Sequence, residues 1–148
     1  MAFTDGLIIQ FQDKLQTLIA ADATIIAEKV VISTNAYKPQ ESFPLVIITP
    51  PNGSTERITN GGQNGSDIVT ISMLVSAYSR NMGDQTAHDE ALNMGDHLRE
   101  LLKWTALDGF LMQPLDVVSM DLYAASEGGP FIWGISLTVE GQIWHDRN

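Results

Sequence analysis

Phe131-Ile132-Trp133-Gly134-Ile135-Ser136-Leu137-Thr138-Val139-Glu140-Gly141-Gln142-Ile143-Trp144 decides the fold. Phe131, Trp133, Ile135, Leu137, Val139 and Ile143 share one parity, and Ser136, Thr138, Glu140 and Gln142 the other. Because successive side chains of a strand point to opposite faces, this run is expected to be a half-buried antiparallel strand with a core face and a polar face. Asp116 to Ala125 is its expected partner, joined to it through Ser126-Glu127-Gly128-Gly129-Pro130. The same alternation marks Asp67 to Tyr78, where Val69, Ile71, Met73, Val75 and Ala77 alternate with Thr70, Ser72 and Ser76. Val30-Val31-Ile32 and Leu45-Val46-Ile47-Ile48, the latter set between Pro44 and Pro50-Pro51, are short β-branched runs that also suit strands. The run Leu45, Val46, Ile47 and Ile48 is apolar on both faces, and one layer of helices cannot cover both sides of a sheet. These four residues are therefore a candidate subunit interface.

Two amphipathic helices complete the pattern. Leu7, Ile8, Phe11, Leu15, Leu18 and Ile19 recur at helical spacing, which predicts a helix from about Thr4 to Ala21. After the turn at Asn81-Met82-Gly83, Ala87, Ala91, Met94, Leu98, Leu101 and Leu102 form a second apolar stripe, with Gly95 on the same side where a neighbour can approach closely. Asp84 or Thr86 is the expected N-cap, acids lead and bases trail along the helix, and Gly109 marks a stop after Trp104. The order is helix, about three strands, helix, two strands. Grouped rather than alternating segments predict a single α+β domain over residues 1–148, with a largely antiparallel sheet and two helices packed on one face.

A chain of 148 residues with 44% apolar and 18% charged side chains can bury one good core without disulfides or a structural metal. It has no cysteine, which removes thiolate metal sites and thiol nucleophiles. Eighteen acids against eight bases give a net charge of -10, and a surface that acidic repels nucleic-acid phosphates. The first apolar stretch is broken by Gln10, Gln12, Asp13 and Lys14, so neither a secretory signal nor a membrane span is expected.

Residues that could carry chemistry do not assemble into a motif. Asp84 and His88 lie one helical turn apart, but a transition-metal centre needs at least three converging protein ligands. His97 and His145 stand apart from any ligand pattern, and no serine or threonine lies in a nucleophile elbow. Gly61-Gly62-Gln63-Asn64-Gly65-Ser66 lacks the Lys of a phosphate loop and leads into a strand. No enzymatic activity, cofactor or metal is expected. The Asn-Gly pairs at 52–53, 60–61 and 64–65 instead predict a long, mobile, polar hairpin tip over about 52–66. Loops of that length either are plain tips or order on binding a partner. Asn52, Gly53, Arg57, Ile58, Asn60, Gly61, Gly62, Asn64 and Gly65 are accordingly a candidate partner-binding loop. Trp104, Tyr78, Tyr123 and Trp144 fall near element ends, which fits either core-edge packing or a protein interface, and Trp104 and Trp144 join the candidate interface set.

The succession of an N-terminal amphipathic helix, Pro44-Leu45-Val46-Ile47-Ile48, a long polar hairpin, a helix carrying Leu98-Arg99-Glu100-Leu101-Leu102, and a closing pair ending Gly134-Ile135-Ser136-Leu137-Thr138-Val139-Glu140-Gly141 resembles the tail terminator proteins of long-tailed bacteriophages. The resemblance implies a structural virion protein of the tail and neck, assembled in the host cytoplasm. Its members form a ring, typically of six subunits, that caps the tail tube, fixes tail length and joins the tail to the head connector. The implied partners are further copies of the chain, the tail tube protein and the connector proteins, while DNA passes through the channel without specific binding. Two other classes stay open: a tail tube subunit or other head-tail adaptor, and a small-ligand-binding or enzymatic α+β domain. Two long helices count against the tube, whose subunits are mainly β with a single helix.

Overall fold

The computed structural model describes residues 6–22, 29–32, 43–49, 56–60, 66–107, 109–125 and 131–146. Their elements run α1 (Leu7–Ala20), β1 (Lys29–Ile32), β2 (Leu45–Thr49), β3 (Glu56–Asn60), β4 (Ser66–Asn81), α2 (Asp84–Leu102), β5 (Asp116–Ala124) and β6 (Phe131–Asp146). One six-stranded sheet has the order β1-β2-β4-β6-β5, with β3 paired to β4 beside that path. The class is α+β, and all pairs except the parallel β1–β2 are antiparallel.

The spine is the ladder between β4 and β6, in register at all sixteen positions from Ser66↔Asp146 to Asn81↔Phe131. Sixteen strand residues span about 50 Å, whereas α1 and α2, at 14 and 19 residues, span about 21 and 28 Å. Both helices lie on one face. Phe11, Leu15 and Ile19 from α1 and Leu98 and Leu102 from α2 share one core with Val46, Ile48, Val69, Ile71, Met73, Val75, Ala77, Ile135, Leu137, Val139 and Ile143. The period-two pattern of β4 and β6 thus sets the helix-facing core as expected.

Four features depart from the sequence expectation. First, residues 56–60 of the expected hairpin tip form a strand, so four strands precede α2. Glu56–Asn60 pairs with β4 residues 67–71 along the line that β2 opens at residues 74–78. A segment with Ile58 as its single aliphatic residue gives little strand signal alone; the long β4 edge supplies the pairing. Second, Leu45, Val46, Ile47 and Ile48 are all 0% exposed in the single chain. Val46 and Ile48 enter the helix-side core, while Leu45 and Ile47 cluster with Tyr78 and Ile132 on the other face, with Phe43, Tyr123 and Ala125 against them. The chain covers both faces of β2 by itself, and these four residues present no surface to a second subunit.

Third, α2 begins on Gly83, and neither Asp84 nor Thr86 caps it. The Asn81 side chain accepts from the Gly83 N–H at 3.0 Å, closing the turn one step earlier, and the Asp84 carboxylate instead accepts from the Trp133 indole N–H at 2.8 Å. Fourth, the helix stops before Gly109. Lys103 is the C-cap and Trp104 follows at φ +74°, the left-handed position that glycine usually fills. The expected start of α1 at Thr4 lies outside the described residues; the first described cap is Gly6.

Helix α2 reaches the sheet through Gly95. A Cβ there would lie 2.2 Å from Ile135 Cδ1 and 2.9 Å from Cγ1, so the missing side chain sets how closely α2 approaches β6. Gly95→Ala is expected to cost about 1–3 kcal/mol through overpacking. Ile135→Val, which removes the clashing Cδ1, should recover part of that cost, so that the double variant loses less than the two single variants together. Urea melts of the four proteins read the coupling, and strict additivity would show that the contact does not set the packing.

Candidate functional site

On the sheet face away from the helices, the residues with polar parity are not simply solvated. Tyr78 is 0% exposed, Ser76 0% and Ser136 8%. Their hydroxyls form a chain: Tyr78 Oη lies 2.7 Å from Tyr123 Oη, Tyr123 Oη 3.1 Å from Ser136 Oγ, and Ser136 Oγ 2.8 Å from Ser76 Oγ. Hydroxyls both donate and accept, so such a chain satisfies itself; the Ser76–Ser136 link is buried and the two links through Tyr123 are half-buried. The two tyrosine rings meet edge to face, with centroids 6.2 Å apart. Gly134 makes room for them: its register partners are Tyr78 and Tyr123, and a Cβ there would lie 2.6 Å from the Tyr78 ring and 2.9 Å from Tyr123. A glycine at mid-strand was the signal available in the sequence, but only the register shows which two rings cross it.

His88 and His97 take up structural contacts, and the side chain of His145 lies outside the described residues. His88 packs edge-on against Trp133 at 4.8 Å between centroids, with Nδ1 3.0 Å from Asp89 Oδ1. Hydrogen bonds from His88 and then Gln85 hold the Asp89 carboxyl below the usual carboxylate range. His97 Nε2 lies 3.1 Å from Asp22 Oδ1, tying α2 to the end of α1, a link with no trace in local sequence. Asp96 and Arg99 form an i, i+3 ion pair at 3.5 Å. Among the described residues, no three His, Asp or Glu side chains converge as a metal site would require.

The outward features concentrate where α2 hands over to β5. Trp104 is 74% exposed. Around it the turn is fixed by Thr105 N–H to Leu102 O, Leu115 N–H to Thr105 O at 2.7 Å, and Leu111 N–H to Ala106 O. Leu107, Leu111 and Leu115 meanwhile sink into the core at 4%, 4% and 2% exposure. A bulky residue in the left-handed region costs about 1–2 kcal/mol, and here that strain is held by a turn anchored on three leucines while the indole points out. Two clefts flank this turn. One, of about 400 Å³, is lined by Asp13, Lys14, Thr17, Leu18, Ala21, Thr105 and Leu107; the other, of about 310 Å³, by Lys103, Trp104, Gln113, Pro114, Leu115 and Asp116. Among the described residues, no histidine lines either cleft. Among the described residues β5 pairs with β6 alone, and its outer positions Asp116, Val118, Ser119 and Asp121 are exposed. Val118 sits in a register shift between Val117 and Ser119, a bulge at the sheet edge.

Of the candidate interface residues, then, Trp104 alone is shown as an exposed aromatic. Trp144 pairs through its backbone with Ile68, and its side chain lies outside the described residues. Of the candidate loop, Arg57, Ile58 and Asn60 belong to β3, while Asn52, Gly53, Gly61, Gly62, Asn64 and Gly65 lie outside the described residues.

No protein-family model matches this chain, and no curated protein matches it in sequence.

The hydroxyl chain gives a direct expectation. Tyr123→Phe deletes the central link and leaves Tyr78 and Ser136 with one partner fewer, at a cost of about 1–3 kcal/mol. Guanidinium melts read the loss. A neutral Tyr123→Phe would mean that water replaces the hydroxyl and that the chain is not closed to solvent.

Proposed function

We propose that this chain is a structural virion protein, a tail terminator that forms a closed ring on the tail tube, limits its length and joins it to the head connector. The observation that carries the reading is the open, two-edged sheet: order β1-β2-β4-β6-β5, helices on one face, and unlike strands at its two ends among the described residues. Unlike edges allow head-to-tail contacts, which close into a ring where the rotation between copies closes and run on as a filament where it does not. Exposed Trp104 supplies an aromatic anchor of the type enriched at interfaces. The net charge of -10 suits a channel through which DNA must slide without sticking.

Charge placement favours a terminator over a tube subunit. Residues 108–148 hold six acids against the single base Arg147, and Asp116 and Asp121 are exposed on β5. A tube subunit must stack on itself without limit, whereas copies presenting the same acidic surface repel each other, most strongly at low salt. Electron microscopy of the purified protein tests the reading: isolated rings with a central hole are expected, and a phage lacking the protein should make overlong, headless tails. Spontaneous tubes from the protein alone, or normal tails in its absence, would contradict it.

A further inference from the structure

We infer that Trp104 of one copy docks into the cleft between α1 and the 105–107 turn of a second copy, and that this knob and hole form the repeating contact of the assembly. The inference rests on the ring reading and assigns its interface. The first support is the knob itself. Trp104 is 74% exposed and held at φ +74° by a turn whose neighbouring leucines are buried, so the backbone strain presents the indole mostly to solvent rather than to the core. Lys103 Nζ lies 5.1 Å over the indole, and Asp116 lines the cleft beside it, so the knob carries a cation and a carboxylate at its base.

The second support is the hole. The cleft of about 400 Å³ is larger than an indole, has Leu18, Ala21 and Leu107 as its apolar lining, and carries Asp13 and Lys14. Lys14 is held with its Nζ 5.4 Å over the Phe110 ring. The charges complement one another in both signs: Lys103 of the knob can meet Asp13 of the hole, and Asp116 can meet Lys14. Such pairing fixes register and excludes other partners.

The third support is placement. The knob and the hole lie on the two sides of one turn, the knob with Gln113 to Asp116 at the start of β5 and the hole between α1 and Thr105 and Leu107. Because knob and hole are different surfaces, one copy can give its Trp104 to one neighbour and receive the Trp104 of another, so the contact can repeat head to tail.

The test uses two variants of the full chain and their mixture. Trp104→Gly removes the indole and puts glycine at the left-handed position, so its melting temperature should stay level or rise. Ala21→Trp fills the hole from its exposed rim. Each variant alone is expected to run as a monomer by size exclusion with light scattering, while wild type assembles. Mixed one to one, they should form a heterodimer and nothing larger, because Ala21→Trp still has the knob and Trp104→Gly still has the hole. Lys103→Glu and Asp13→Lys should each weaken assembly about tenfold or more, and together restore part of it. If Trp104→Gly assembles as wild type does, or the mixture stays monomeric, the interface is wrong while the ring reading stands, and Trp104 is left for a different protein. A wild-type protein that is monomeric at every concentration overturns both.

Discussion

Everything else in this chain hangs on the β4–β6 ladder. Both strands are sixteen residues long and meet at every position, so one register fixes two surfaces at once. On one face it aligns Val75, Ala77, Ile135 and Leu137 beneath α1 and α2; on the other it brings Ser76 opposite Ser136 and Tyr78 opposite Gly134. A slip of one residue would turn the hydroxyl chain into the helix layer and the aliphatic core outward, so both faces hold the same register. The remaining strands take their places from this pair. β2 and β3 share one side of β4, β5 takes the far side of β6, and β1 completes the sheet beside β2.

How much of this the sequence discloses depends on whether a residue's role is set locally. Val69 to Ala77 and Ile135 to Ile143 announce their face by alternation, and Ala87, Ala91, Leu98 and Leu102 by helical spacing, because those periods are properties of the element alone. Roles set across elements leave no such mark. Glu56–Asn60 is a strand because β4 extends past β2 and offers it an edge. Tyr78, Tyr123, Ser136 and Ser76 form a network only when three strands are in register. Asp84 accepts from Trp133, 49 residues away, and so does not act as the cap that its position predicts. Leu45 to Ile48 is the instructive error. An apolar run on both faces does report cover on both sides, but the second cover comes from Tyr78, Ile132 and their neighbours in the same chain rather than from another subunit.

With β2 enclosed, the case for self-association moves to the turn after α2, where a strained and exposed tryptophan sits between two clefts. Leu107, Leu111 and Leu115 anchor that turn in the core and Trp104 does not join them, a division of labour that fits a surface built for contact. The hydroxyl chain, by contrast, links three strands of the same sheet and serves the fold.

The proposal that the chain works as a closed ring is tested most directly by native mass spectrometry of the 148-residue chain across protein concentration and ionic strength. The account predicts one discrete species at a small fixed multiple of the 16.2 kDa chain mass, six being the number that the family resemblance implies. A monomer throughout, or an open ladder of ever larger species, would contradict it.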